Sequence, residues 1–369
     1  MSRWRKAGLG LLLVTVAVVA GLAIALRYDA PCGAAVVAAD GPDTMQALLR
    51  RCYGGPDVLA FERVARPVAA DGQVVVRVHA AAVNPLDWHY MRGKPFVMRL
   101  DSGLGSPKTP AMGVDFAGTV AAVGAGVTRF KVGDRVFGAR DGALAEYLAI
   151  RDTSTIVAMP DTVGFVEAAA VPVAGMTALQ ALRDKAGVKA GQHVLVNGAS
   201  GGVGTYAVQI AKALGAEVTG VCSTRNVEMV RALGADHVVD YTRENFTEGA
   251  GRYDVIIDNV GTYGVRDYRR VMTRDGVVVV VGSVDDGDYL GPLATMLSAM
   301  AVGMFGSQRV EPFLSTANAR DLGVLRNMMQ RGQLRSVIDR TYPFAEAREA
   351  ITYLETGRAR GKVVVELVK

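Results

Sequence analysis

An apolar strand, His193–Asn197, runs straight into the glycine-rich turn Gly198-Ala199-Ser200-Gly201-Gly202-Val203-Gly204 and on into TYAVQIAKALGA, whose Ala207, Ile210, Ala211 and Leu214 recur at helical spacing. Strand, glycine turn and helix in that order build one half of a parallel βαβ unit and leave a dinucleotide site at the turn. Missing side chains let the backbone approach a pyrophosphate, and the helix N-terminus aims free N–H groups and a partial positive charge at it. Further apolar strands follow at Glu217–Cys222, His237–Asp240, Tyr253–Asp258 and Gly276–Gly282, each separated by a helix-length stretch. The expected class is therefore α/β with a doubly wound parallel sheet.

Upstream the character differs. QVVVRVHAAA (Gln73–Ala82) alternates as a half-buried strand does, and Gly113–Arg135 reads as short strands between glycine turns. After the parallel sheet, helices are expected around Asn318–Arg331 and Ala345–Thr356, then a strand, Lys362–Val368, that returns to the β-rich part. With 50% hydrophobic residues among 369, such a chain can bury a large core, which excludes wholesale disorder. The net charge of +5 is spread without a basic block, so no nucleic-acid partner is expected. The three cysteines and four histidines show neither C-x-x-C nor H-x-x-x-H spacing, which argues against a disulfide framework and a zinc cluster.

The N-terminus reads as a membrane segment. Twenty uncharged, mostly apolar residues, Ala7–Leu26, lie between Arg3, Arg5 and Lys6 on one side and Arg27 on the other, enough to span a bilayer core of roughly 30 Å. A single-pass anchor is expected. The alternatives are export with cleavage near Ala23-Ile24-Ala25 and a cytoplasmic protein that starts at Met45. Cys32 reads as a linker residue, and the segment to Asp43 as a loose tether that contributes little to folding.

Cofactor choice is set at the end of the second parallel strand, where a carboxylate would take the ribose hydroxyls of NAD. Here Cys222 is followed by Ser223, Thr224 and Arg225, which suit the 2′-phosphate of NADP(H). Tyr241, past the third strand, could close over the same phosphate. The plainer reading has Ser223 and Thr224 capping a helix and Arg225 solvated.

Gly191-Gln192-x-x-Leu195-x-x-x-Ala199-Ser200-Gly201-Gly202-x-Gly204-x-x-x-x-Gln209-x-x-Lys212 resembles the signature of the quinone oxidoreductases and zeta-crystallin, within the medium-chain dehydrogenase/reductase superfamily. AAAVNPLDWHYMRG (Ala80–Gly93), GVDFAGTVAAVG (Gly113–Gly124), KVGDRVFG (Lys131–Gly138), VPVAGMTAL (Val171–Leu179) and GKVVVEL (Gly361–Leu367) agree, so the resemblance covers Met45–Lys369. It implies a GroES-like catalytic domain (45–166 and 307–369) enclosing a Rossmann domain (167–306), with residues 1–44 as an extension. Where the zinc enzymes of the superfamily carry Cys and His ligands, this chain has Asn84 and Val114, so metal-free hydride transfer is implied.

By the same resemblance Asn84, Asp87 and Tyr90 form the catalytic end of the cleft, with His89 a rival proton donor. Thr177, Gly282 and Ser283 lie at the nicotinamide, and Lys362 near the cofactor phosphate. The implied reaction reduces a quinone or α,β-unsaturated carbonyl with NADPH. Enoyl-thioester or alcohol/aldehyde chemistry, and a non-catalytic NADPH-binding role, are the alternatives; Phe96, where the enoyl reductases carry tyrosine, weighs against the thioester. Oligomeric state, including a homodimer, stays open.

Overall fold

The computed structural model describes residues 3–34, 41–282 and 307–368, with the side chains of the first helix described from Val14 onward. Fifteen strands are named in chain order. The first seven, β1 (Thr44–Arg50), β2 (Leu59–Ala65), β3 (Gln73–Val83), β4 (Asp115–Val123), β5 (Arg135–Ala139), β6 (Tyr147–Arg151) and β7 (Ile156–Ala158), precede the glycine loop. The next six are β8 (His193–Asn197), β9 (Glu217–Cys222), β10 (His237–Asp240), β11 (Tyr253–Asp258), β12 (Met272–Val280) and β13 (Arg309–Pro312). Finally come β14 (Ile338–Pro343) and β15 (Lys362–Glu366).

The six central strands form one sheet in the order β10-β9-β8-β11-β12-β13, and every pair is parallel. Its strands are apolar on both faces because helices cover both: Val194, Val196, Ile257 and Val279 pack into one core, and Leu195, Ile256 and Val278 into another. The expected Gly276–Gly282 strand begins earlier, at Met272. β13, which follows the division expected at residue 307, pairs with β12 as the edge of this sheet.

The second sheet runs β14-β15-β3-β4-β5-β7, with β6 also paired to β3. β15 lies antiparallel to β3 and parallel to β14, so the chain's end does return to the β-rich part. Helix α2 (Pro85–Arg92) follows β3 within this sheet, α3 (Pro172–Gln180) leads from this sheet to the parallel one, and α4 (Gly202–Ala213) joins β8 to β9. The two sheets touch where Gly201 bridges Gly361, which lays the segment before β15 across the glycine loop.

Helix α1 (Arg3–Arg27) covers the apolar run. Among the described residues no helix is long and apolar enough to cross a membrane. The segment that follows α1 is not the expected loose tether. The Arg99 guanidinium, 1% exposed, donates to Leu26 O at 3.0 Å, Tyr28 O at 3.1 Å and Gly93 O at 2.7 Å, and pairs with Asp29 at 2.8 Å. Ala30 N donates to Gly105 O at 2.9 Å, and Cys32 forms a disulfide with Cys52. The reading of Cys32 as a linker residue is thus overturned: no spacing motif marks a bridge between a neck and the first turn of a distant hairpin.

This neck contributes to stability. Arg99→Ala leaves four carbonyls, those of Leu26, Tyr28, Arg92 and Gly93, short of a donor and is expected to lower unfolding free energy by about 2–4 kcal/mol. Cys32→Ser opens a loop of 20 residues and is expected to cost about 3 kcal/mol. Urea unfolding of the full chain checks both; unchanged midpoints would return the neck to a passive tether.

Candidate active site

The glycine loop has the expected shape. Gly198 is left-handed (φ +74°), and a Cβ on Gly204 would lie 2.1 Å from Gly198 O, so the turn closes only without side chains. The following helix, α4, has Gly201 at its N-cap and no side-chain cap, leaving the first N–H groups free to meet a phosphate. Ala199 is anchored through its N–H to Val221 O at 3.0 Å, and Ser200 Oγ takes the amide of Asn226 at 3.0 Å. Gly202 and Val203 open α4. This cradle fits a dinucleotide.

Between loop and cleft lies a buried polar knot. Lys362, 3% exposed, donates through Nζ to Asn84 Oδ1 and sits 3.5 Å from the Asp115 carboxylate. Asn84 Nδ2 donates to Asp115 at 3.0 Å and to Ala82 O at 3.4 Å, and Asp115 Oδ1 accepts Val173 N at 3.0 Å in the first turn of α3. Burial pushes the Asp115 carboxyl up and the Lys362 ammonium down from their ordinary pKa values, each charge partly restoring the other. The knot sets how two of the expected site residues are engaged. Both amide hydrogens of Asn84 donate within it, to Asp115 and Ala82 O. The ammonium of Lys362 points into the knot, and only its stem lies over Gly202, with Cδ 3.3 Å from where a Cβ would be. Thr177 is buried in α3 and gives its hydroxyl proton to Val173 O at 2.7 Å.

Asp87 and Tyr90 do come together. Both line a cleft of about 290 Å³ with Met112, Gly113 and Val114. Asp87 is 1% exposed, and burial pushes its carboxyl up to about 7, against the pull of the Asn84 N–H it accepts at 2.7 Å. Burial likewise raises Tyr90, which keeps the phenol protonated. His89 does not line this cleft: its Nδ1 bonds Lys94 O at 2.8 Å and its ring stacks on Trp88.

At the adenosine end, Arg225 gives Nη2 to Arg358 O at 2.9 Å, on the segment that crosses the glycine loop. Thr224 is less free than expected, since its hydroxyl donates to Asp240 at 2.5 Å. Asp240 was not anticipated: β10 pairs in register with β9, so this carboxylate sits beside Cys222. The Thr224 hydroxyl holds it below the usual carboxylate range, and Arg243 lies 3.5 Å away. Tyr241 is exposed beyond it, Ser223 opens the turn before Asn226, and Gly282 packs on Asn259. Ser283 lies outside the described residues. The alternation that located β10 also placed Asp240 at its end; the position was passed over because the cofactor rule names only the second strand.

Comparison with known proteins agrees with both halves. Residues 70–161 match the alcohol dehydrogenase GroES-like domain and residues 233–365 the zinc-binding dehydrogenase family. The chain is 35% identical to the chloroplast envelope quinone oxidoreductase homolog of Arabidopsis thaliana, across 87% of this chain and 98% of that one. It is 33% identical to the chloroplastic NADPH-dependent alkenal/one oxidoreductase of the same plant, across 88% and 80%. The quinone oxidoreductase structure from Coxiella burnetii superposes with a TM-score of 0.75 at 30% identity, across 88% and 99%. The chain belongs to the quinone oxidoreductases of the medium-chain dehydrogenase/reductase superfamily, oxidoreductases that use a nicotinamide cofactor.

The matched profile's zinc does not fit this site. The Asn84 oxygen is taken by an ammonium and Val114 has no donor atom, so the two positions cannot hold the ion. Among the described residues no group of three or more His, Cys, Asp or Glu could bind a metal.

Asp87 has a consequence for stability. Its unfolded value is near 3.8 and its folded value about 7, so between those pH values the native state alone holds the proton and stability falls as pH rises. The slope is about 1.4 kcal/mol per pH unit for one such group. Asp87→Asn is expected to flatten that part of the curve in urea unfolding measured from pH 4 to 7; an unaltered slope would mean the carboxyl titrates normally.

Proposed function

We propose that this protein is an NADPH-dependent reductase of quinones or α,β-unsaturated carbonyls that works without a metal. The observation that carries the reading is the pair of acid groups, Asp87 and Tyr90, lining one cleft with Val114, one of the two positions where zinc ligands are replaced. A bound nicotinamide supplies the hydride. The chain's residues must then meet negative charge on the acceptor oxygen and deliver a proton, and a carboxyl near 7 with a raised phenol suits both tasks. The cofactor is held by the Gly198–Gly204 loop, with Thr177 and Gly282 toward the nicotinamide. The name of the alkenal/one relative supports the same acceptor class.

The test is NADPH oxidation by the full chain with a panel of quinones and enones after exhaustive chelation. Turnover is expected to persist, and kcat to fall as pH rises through about 7 with the loss of the Asp87 proton. Turnover that needs added zinc would overturn the metal-free reading. For cofactor choice, Arg225 supports NADPH and Asp240 opposes it, offset by Arg243 and Thr224. Arg225→Ala is expected to weaken NADPH binding by about 1–3 kcal/mol and to leave NADH nearly unchanged; equal losses would remove the 2′-phosphate assignment.

We also propose that α1 anchors the enzyme in a membrane. Val14, Val16, Val18, Val19, Leu22 and Ile24 are each at least 46% exposed and point to all sides of the helix, which suits lipid better than a partner's groove. The disulfide and the basic N-terminal flank favour the catalytic body on the oxidising face, whereas supply of reduced cofactor favours the cytosolic face. Maleimide labelling of Cys32 and Cys52 in intact cells, without reductant, separates the two: protected thiols place the body on the oxidising face, labelled thiols on the other. Recovery of the intact chain in the soluble fraction would remove the anchor.

A further inference from the structure

The cleft that holds Asp87 and Tyr90 also holds a buried cation with nothing to bind. Arg50 ends β1, its backbone N–H donating to Pro110 O at 2.8 Å, and its side chain turns into the cleft wall. The residue is 4% exposed, yet Nε and Nη1 have no hydrogen-bond partner. What surrounds the guanidinium is aromatic: its centre lies 5.4 Å from the Tyr90 ring and 5.7 Å from the Tyr53 ring. Asp87 and Asp141 act on it only at a distance, without an ion pair. A buried charge with free donors is costly, by several kcal/mol, and guanidinium cannot shed its proton to escape that cost. Arg99, equally buried, differs: its guanidinium donates to carbonyls of two segments and pairs with Asp29.

We propose that Arg50 is the residue that receives the acceptor's oxygen, holding it as charge develops there during reduction. The assignment rests on the reductase reading above. When a conjugated acceptor takes a hydride at its β-carbon, the π electrons move along the conjugated system to the carbonyl oxygen, which becomes an enolate or phenolate. A proton from Tyr90, Asp87 or water then completes the two-electron reduction, balanced by oxidation of the nicotinamide. Arg50 supplies a fixed positive charge and unspent N–H donors where zinc supplies charge in the metal enzymes. The Tyr53 and Tyr90 rings flank the guanidinium without using those donors. The Tyr90 phenol lies against the same cation, so the proton donor and the charge acceptor share one wall.

Two measurements test this, one of which needs no turnover. The first is 4-nitrophenol titrated into the full chain and followed at the phenolate band. Bound probe is expected to ionise at lower pH than free probe, and Arg50→Met to return it to the free value. The second is steady-state reduction of a neutral enone, where Arg50→Met is expected to lower kcat by about 10²-fold, in the range for loss of one oxyanion donor, and Arg50→Lys to recover part of it. Thermal unfolding should leave Arg50→Met about as stable as the parent, since Nε and Nη1 have no hydrogen bond to lose. A variant that loses stability but keeps both the probe shift and kcat would make Arg50 a packing residue. An effect on KM confined to anionic acceptors would make it a charge-recognition residue and overturn the assignment. Probe binding that depends on Arg50 in a protein that reduces no quinone or enone would refute the reductase reading and leave the oxygen-anion site standing.

Discussion

The Lys362 ammonium, buried between Asn84 and Asp115, joins four segments that are far apart in sequence. It lies at the start of β15; Asn84 begins α2; Asp115 begins β4; and the other oxygen of Asp115 holds the first turn of α3. A buried ion pair of this kind adds little net stability, because the desolvation of both groups offsets their attraction. Its effect is on placement. Removing one partner would strand the other charge, so the segments are held in one arrangement. That arrangement presses Gly361 onto the glycine loop, where Gly361 N donates to Ser200 O at 2.8 Å. Loop and cleft are positioned by one network.

The same network sets the chemistry of its neighbours. Asp87 is desolvated by the packing that buries the knot, and the Asp115 charge raises it further while Lys362 pulls it down. The outcome is a carboxyl that still holds a proton near neutrality. In the same cleft Arg50 keeps its charge, and its Nε and Nη1 have no hydrogen-bond partner. One cleft therefore holds a proton source and a fixed cation, close to each other but not paired. Pairing would cancel both functions: a salt bridge between Asp87 and Arg50 would drive the carboxyl down and occupy the donors.

What was legible in the sequence is what local rules govern. The strands β8 to β11 and the glycine loop lie where alternation and turn chemistry put them, and the final strand returns as its apolar run requires. What was missed is non-local. Cys32 and Cys52 carry no motif, and nothing local marks Arg99, on which four carbonyls from two segments converge. Asn84 was identified, but whether its amide is free or spent depends on Lys362, nearly three hundred residues away. Arg50 at a strand end looks like an ordinary exposed terminus, and only burial without a partner marks it.

The neck ties the end of α1 to the cleft. Arg99 satisfies carbonyls at the C-terminal end of α1, where unpaired C=O groups and a partial negative charge await a cation. Arg99 also stacks on Tyr53 at 4.3 Å, and Tyr53 Oη bonds Gly103 O at 2.8 Å and lies 3.0 Å from Ser102 Oγ. Asp101 and Ser102 line the cleft itself. The C-terminal end of α1 and the rim of the cleft are thus one packed unit, joined by hydrogen bonds and ring contacts that a flexible tether would lack.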